Sequence, residues 1–372
     1  MELVTYVGID VDDEAFHGCG IIEGRPEKRV EFRCKPSVGA LLKKLKVFMD
    51  LGQPVKLCYE ATYLGFSLQR ALALKGVLCE VVAPSSIPRR VGKAVKTDKV
   101  DCRELAEYYQ KGLLSIVHIP DEKEESIRDL IRSRKFQKEQ VNDLKRHILA
   151  LCRRHKLDYR ESRGSKKAAY WTKSHLNWLE AELGRLTERA LEFNLKILLS
   201  QLHQMESSVA VYDEEILRIA EAPLYRKKVA ALNCYRGIDT LTSMTLITEL
   251  GDIQRFDHPR RLTSYAGLDL REYSSGGRHR RYQLSKMGNY RIRTSAVEAC
   301  QMASRIPQLS VRLKEKRKGV DPKLVEIADR CMKRLHKKSS RLLYAGKPVN
   351  KVKVACAREL LGFVWESLRA AA

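Results

Sequence analysis

No apolar run in this 372-residue chain approaches the roughly 18 residues that span a bilayer, which speaks against an integral membrane protein. No charged-then-apolar leader opens it, so secretion is not expected. Its ten cysteines include no Cys-x-x-Cys pair, which argues against a structural zinc site. Most sit among apolar neighbours, as Cys58 and Cys79 do, and read as reduced, buried small hydrophobes of a cytosolic protein. The nine histidines show no metal-ligand spacing, and no internal repeat or low-complexity segment stands out. Acid is in short supply: 46 Asp and Glu face 70 Lys and Arg, for a net charge of +24. That excess favours a polyanionic partner, through release of counterions condensed on a phosphate backbone, with an anionic membrane surface as the other option. The length allows two or three domains with substantial cores.

Against this basic background four acids stand out. Asp10 closes the apolar run Tyr-Val-Gly-Ile-Asp, and Glu60 closes Val-Lys-Leu-Cys-Tyr-Glu. Asp98 and Asp101 lie three apart, a spacing that lets both face one way on a helix. A carboxylate at the end of a buried strand is costly unless it meets a cation or another partner. Taken singly, Asp98 could merely complement a helix dipole and Asp101 could be solvated. Together the four suggest one shared cation site. Hard carboxylate oxygens suit Mg²⁺, and paired divalent ions stabilise the attacking and leaving oxygens of a phosphoryl transfer.

The pattern around these acids predicts an α/β domain. Strands are expected over Val4–Asp10, Phe16–Glu23, Lys28–Cys34, Val55–Glu60 and Val77–Ala83. Helices are expected over Val38–Leu51, Leu64–Lys75 and Thr97–Lys111, the last with Thr97 as N-cap. This is the element order of an RNase H-like domain, in which the first strand runs centrally beside the fourth and brings Asp10 near Glu60. Residues 121–225 are rich in Lys, Arg, Glu and Leu at helical spacing, as in Ile127-Leu130-Ile131 and Trp178-Leu179-Leu183-Leu186. They predict a coiled-coil hairpin broken near Arg160–Lys167, either a solvated scaffold or an arm for dimerisation or nucleic acid. Residues 226–372 form a mainly helical region with an apolar helix from Leu241 to Leu250 and a loop-rich stretch from Tyr265 to Gly277.

Within that stretch, Ser274-Ser275-Gly276-Gly277-Arg278-His279-Arg280-Arg281 could present a serine beside phosphate-binding arginines. The plainer reading is a turn touching a nucleic-acid backbone, and Tyr273 and Tyr282 are rival nucleophiles. His279 could donate to phosphate or be a polar loop residue. The turn Arg236-Gly237-Ile238-Asp239 could offer N–H groups to a phosphate. Asp239 at the helix entrance would repel one, however, and could instead cap Leu241 or Thr242.

In order and spacing these pieces resemble the bacterial insertion-sequence transposases of the one-ten family, which also includes the Piv DNA invertases. The resemblance spans nearly the whole chain. It runs through Gly8-Ile9-Asp10, Glu60-Ala61-Thr62, Lys96-Thr97-Asp98-Lys99-Val100-Asp101 and Gly251-Asp252-Ile253 with Phe256. It continues through Tyr265-Ala266-Gly267-Leu268, Arg271-Glu272-Tyr273, Ser275-Gly276-Gly277 and Ser285-Lys286-Met287-Gly288-Asn289. It implies a RuvC-like DEDD domain over 1–118 with Asp10, Glu60, Asp98 and Asp101 holding Mg²⁺. It further implies a coiled-coil region over 119–225 and a transposase domain over 226–372 with Ser275 as nucleophile. Arg278, Arg280, Arg281 and Lys286 are the expected nucleic-acid contacts. The implied activity is recombination of double-stranded element ends and target through a 5′-phosphoserine intermediate, guided by a noncoding bridge RNA. A homo-oligomer, dimer or tetramer, associated with the bacterial nucleoid in the cytoplasm and not with membrane, would carry it out. The alternatives are a metal-dependent, structure-selective nuclease with Ser275 as bystander, and a non-catalytic nucleic-acid-binding protein. The chain departs from the family pattern at Arg236-Gly237-Ile238-Asp239, where Pro-Gly-Ile-Gly is usual, and at Asp269-Leu270, where Thr-Pro is frequent.

Overall fold

The computed structural model describes residues 3–24, 29–88, 98–275 and 278–372, with residues 86, 98–100, 271–275 and 278–282 described in backbone alone. Two compact units divide the chain, Met1–Asp121 and Glu122–Ala372.

The first unit is built on β1 (Thr5–Val11), β2 (Phe16–Ile22), β3 (Arg29–Cys34), β4 (Val55–Glu60) and β5 (Leu78–Val82), with helices α1 (Val38–Met49), α2 (Ser67–Ala73) and α3 (Asp98–Gln110). The strand order is β3-β2-β1-β4-β5. β1 pairs antiparallel with β2 and parallel with β4, so it runs at the centre as expected. Its side chains alternate between the faces. Val7, Ile9 and Val11 join Leu41, Leu45 and Phe48 of α1 in one core. Gly8 meets α3 on the opposite face, where a Cβ would lie 2.4 Å from Ala106 N and 2.6 Å from Cys102 O. Only a residue without a side chain lets that helix lie so close to the strand. β1 runs one residue past Asp10, whereas Glu60 is the last residue of β4. Thr97, the expected cap of α3, lies outside the described residues.

The second unit opens with α4 (Glu122–Arg154) and, after α5 (Tyr159–Ser162) and α6 (Lys173–Leu183), returns along α7 (Arg189–Ala220). The buried residues Leu195, Leu202, Val209 and Ile216 of α7 recur at steps of seven, and Val141 and Ile148 of α4 do the same. Arg134 pairs with Asp213 and Lys145 with Glu206, so the two long helices lie antiparallel. The break between them is longer than the sequence suggested. Trp178-Leu179-Leu183 belongs to α6, not to a long helix, because residues 159–178 form a small aromatic core of their own. There His175 is fully buried among the rings of Tyr159, Tyr170, Trp171 and Trp178.

Helices α8 (Pro223–Asn233), α9 (Thr240–Leu250), α10 (Pro259–Tyr265), α11 (Tyr290–Ala299), α12 (Val311–Lys316), α13 (Pro322–Tyr344) and α14 (Val349–Ala371) complete the unit. They share a core that includes Tyr235, Leu246, Ile247, Leu361 and Val364. The stretch read as loop-rich in fact contains a hairpin of β6 (Leu270–Ser275) and β7 (Arg278–Leu284). Its strands are dominated by Arg, Ser and Tyr, and so lack the apolar alternation that announces a half-buried strand. All ten cysteines are free thiols, and all but Cys34 are buried. Among the described residues no helix is long and apolar enough to cross a membrane.

Candidate active site

The acids are placed by the sheet. Ile9 pairs with Tyr59 in the parallel β1–β4 register, so Asp10 and Glu60, each one residue on, stand at the same level of neighbouring strands. Such strands lie about 4.8 Å apart. Alternation puts Asp10 on the face of Gly8, and Glu60 on the face of Cys58, which packs with Leu105 and Tyr109 of α3. Both carboxylates therefore belong to the face that α3 covers. Burial first, then the charges of Cys19, Glu31 and Asp10, push the Cys102 thiol up to about 12, which places the Asp10 charge beside that helix.

The direction of α3 follows from two contacts. Tyr109 near its end meets the Tyr6 ring at 5.5 Å, and Cys102 and Ala106 sit over Gly8. The helix thus runs antiparallel to β1, with its first turn toward Asp10. From Gly8 to Asp10 is about 7 Å along a strand, which a helix covers in about four to five residues. Counting back from Cys102–Ala106 reaches the turn between Asp98 and Asp101. Asp98 is the first residue of α3, with its side chain outside the described residues, and Asp101 is half-buried one turn on. Among the described residues no group of three or more His, Cys, Asp or Glu side chains is clustered as a metal site. The backbone nonetheless brings four hard-oxygen residues toward one end of one sheet face, a donor set suited to a divalent ion.

Ser275 is the last residue of β6 and pairs with Arg278, while Tyr273 pairs with Arg280 and Glu272 with Arg281. Gly276 and Gly277, between Ser275 and Arg278, and the side chains of residues 271–275 and 278–282 lie outside the described residues. The foot of the hairpin is described in full, and it is tightly held. Asn289 N donates to Tyr265 O at 2.7 Å, and Lys286 N donates to Gly267 O at 3.2 Å. Arg293 Nη1 donates to Ala266 O at 2.9 Å, and the Ser285 hydroxyl bonds the Asp269 carboxylate. Gly288 has φ +123°, and a Cβ there would lie 2.3 Å from Tyr265 O. Lys286, exposed, is held at φ +53°, a conformation uncommon for a residue with a side chain.

Under this foot lies Glu249, a residue the sequence reading passed over. Its side chain is 1% exposed. Arg132 of α4 donates to it twice, at 2.8 and 3.0 Å, and Asn289 Nδ2 donates at 2.7 Å. Burial raises its pKa, but Arg132, Asn289 and Arg291 outweigh this and hold the carboxyl below the usual value. A Glu at the end of an apolar helix was the available signal. Its partners are 117 and 40 residues away, beyond what spacing reveals.

Two family profiles match the chain. One, a DEDD transposase profile of the IS110 type described as "Transposase", covers residues 7–155, and the other, described as "Transposase IS116/IS110/IS902 family", covers residues 229–314. The protein named "Putative transposase y4qE" from Sinorhizobium fredii (strain NBRC 101917 / NGR234) is 31% identical over 369 residues, covering 99% of this chain and 89% of its own. The chain belongs to the IS116/IS110/IS902 family of transposases. It is also similar to the transposase for insertion sequence element IS1533 of Leptospira borgpetersenii, 28% identical over 92% of this chain and 97% of that one. The transposase for IS1111A of Coxiella burnetii is 25% identical over 79% and 76%. Members of this transposase family are enzymes that cleave and rejoin DNA, and the DEDD character of the N-terminal profile implies a divalent metal.

Both departures from the family pattern have structural roles here. Asp239 caps α9 by accepting from Thr242 N at 2.8 Å, as its position suggested. Asp269 ties the two strands of the hairpin foot together through Ser285.

Proposed function

We propose that this transposase recombines double-stranded DNA with two chemical elements: an acidic site on Asp10, Glu60, Asp98 and Asp101 in a RuvC-like domain over 1–118, and Ser275 in a transposase domain over 226–372. The observation that carries the reading is the shared level and face of Asp10 and Glu60, with the first turn of α3 directed toward them. Mg²⁺ is the ion that best suits such a set, and when bound it would polarise the scissile phosphate.

Ser275 Oγ attacks phosphorus, forming the P–Oγ bond as the P–O3′ bond breaks. The serine proton ends on the departing 3′-hydroxyl, and the 5′-phosphate stays on the protein. A 3′-hydroxyl from another strand then attacks the phosphoserine, and Ser275 leaves and regains its proton. The ester energy is conserved, so no nucleotide cofactor is needed. Arg278, opposite Ser275 in the register, with Arg280, Arg281 and Lys286, would neutralise phosphate oxygens. A noncoding bridge RNA would choose the DNA. The coiled-coil region over 119–225 would assemble the homo-oligomer, dimer or tetramer, on the bacterial nucleoid.

The test is a denaturing gel of the full chain with its flanking DNA, with and without Mg²⁺. A protein–DNA adduct in wild type with Mg²⁺, absent from Ser275→Ala, is the expected result. Cleavage to free 5′-phosphate ends without an adduct would replace this reading with a nuclease. Nucleic-acid binding that ignores Mg²⁺ and survives loss of all four acids, without any cleavage, would replace it with a binding protein.

A further inference from the structure

A cleft of about 870 Å³ opens in the second unit between the Arg236–Asp239 turn and the segment from Met302 to Lys316. It lies outside the hairpin and the acidic residues, and the proposed chemistry makes no use of it. One wall is braced by Arg236, whose guanidinium donates to the carbonyls of Arg305 (3.1 Å), Ile306 (2.8 Å) and Gln308 (2.7 Å). These carbonyl partners fix the loop but leave the positive charge uncancelled. Lys316 donates to Ile238 O at 3.2 Å, and Asp239 offsets part of its charge. Arg305 and Arg312 line the cleft, are exposed, and have no ion-pair partner among the described residues.

These cations face one another. Burial, and after it the charge of Arg305, lowers the Arg236 pKa, while burial and then Arg312 lower that of Lys316. Asp239 is the carboxylate among the lining residues; it accepts from Thr242 N and offsets Lys316, leaving the charges of Arg236, Arg305 and Arg312. The cleft therefore holds a surplus of positive charge on a braced frame, which an anion would relieve. Its walls are also apolar: Ile306 is 68% exposed and Leu309 is 36% exposed. A duplex hides its base faces and would offer nothing to those side chains. An unpaired strand presents both phosphates and open bases, and fits a volume in the range of ligand-enclosing pockets.

We propose that this cleft is a separate binding site for single-stranded nucleic acid, with Arg305 and Arg312 on the phosphates and Ile306 and Leu309 against an unstacked base. The site is independent of the serine chemistry, so its test needs neither divalent ions nor cleavage.

The experiment is fluorescence anisotropy of the full chain without divalent ions. The probes are a labelled unstructured 12-nucleotide ribo- or deoxyribo-oligonucleotide and a 12-base-pair duplex. Arg305→Ala/Arg312→Ala should weaken single-strand binding at least tenfold and reduce its salt slope by about 1.4, about 0.7 per lost phosphate contact. Duplex binding should change less than twofold. Lys43→Ala/Lys44→Ala, which removes the same charge from exposed positions of α1, should leave all probes unchanged. Ile306→Ser should weaken the single strand without altering the salt slope. A loss confined to the ribo- or the deoxyribo-strand would support the site and name its strand. Equal losses on strand and duplex, losses matched by the Lys43/Lys44 variant, or no loss at all would overturn it.

Discussion

The two units hold the residues proposed for chemistry in opposite ways. In the first, Asp10 and Glu60 ride on a sheet covered on both faces, with Val7, Ile9, Leu57 and Tyr59 at 0% exposure around them. In the second, Ser275 stands at the far end of a two-stranded hairpin secured at its foot by Asn289, Ser285, Arg293 and, through Asn289, Glu249. Carboxylates that share an ion need positions fixed to a fraction of an ångström, which a packed sheet provides. Under the proposed function, a serine that attacks a phosphate on a large substrate would gain from the reach of a narrow hairpin. The difference teaches that packing fixes the acidic residues within the sheet, whereas the hairpin that carries Ser275 is secured at its foot.

The largest expected effects test the chemical halves of this comparison. Asp10→Ala and Ser275→Ala should each lower recombination by on the order of 10³-fold or more while leaving the melting temperature nearly unchanged. A junction-exchange assay with a parallel thermal melt checks both, and full activity in either variant would remove that residue from the mechanism. Next comes the hairpin foot. Glu249→Gln strips the charge from a buried carboxylate and leaves the partly exposed Arg132 with the more distant Asp129 at 3.9 Å, for an expected loss of about 2–3 kcal/mol by chemical denaturation. A loss below about 1 kcal/mol would mean that Glu249 is not the support of the foot.

A smaller pair of substitutions separates the units. Gly8→Ala sets a methyl group against the backbone of α3, and Gly288→Ala sets one against Tyr265 O at a left-handed φ. Each should cost about 1–3 kcal/mol. Hydrogen exchange should show the first loosening Met1–Asp121 and the second loosening the 265–293 region. If both loosen the same region, the division of labour fails.

The smallest effect is on pH. Burial lowers His175 from 6.5 to about 4, so its neutral ring matches the folded aromatic core while the unfolded chain takes up a proton near 6.5. Its contribution is complete above pH 6.5 and is lost as pH falls toward 4. His175→Phe should flatten that part of the stability profile. Glu249, held below 4.5, adds a further loss at still lower pH, because its native contacts need the carboxylate.

Much of the first unit was legible in the sequence. Strand boundaries around Asp10 and Glu60 fall within a residue of expectation, because buried parallel strands are continuous apolar runs with sharp ends. The helical character of 121–225 was equally plain from its heptads, but the extent of its turn was not, since the rings around His175 assemble across residues 159–178 without periodicity. The hairpin bearing Ser275 was hidden for a related reason. Its pairing rests on the backbone and on a collar of contacts at its foot, and its side chains carry no apolar alternation.

The sequence by itself determined the α/β order, the long amphipathic helices and the basic character, since each is written in local pattern or composition, and it nominated the four acids and, through family resemblance, the serine. Only the tertiary structure decided that α3 runs back along β1 toward Asp10, that Gly8 makes this approach possible, and that Glu249 joins α4 to the hairpin foot. Those are contacts between residues far apart in the chain. Their energies come from close packing and from burial of paired charge, and neither leaves a periodic trace in the sequence.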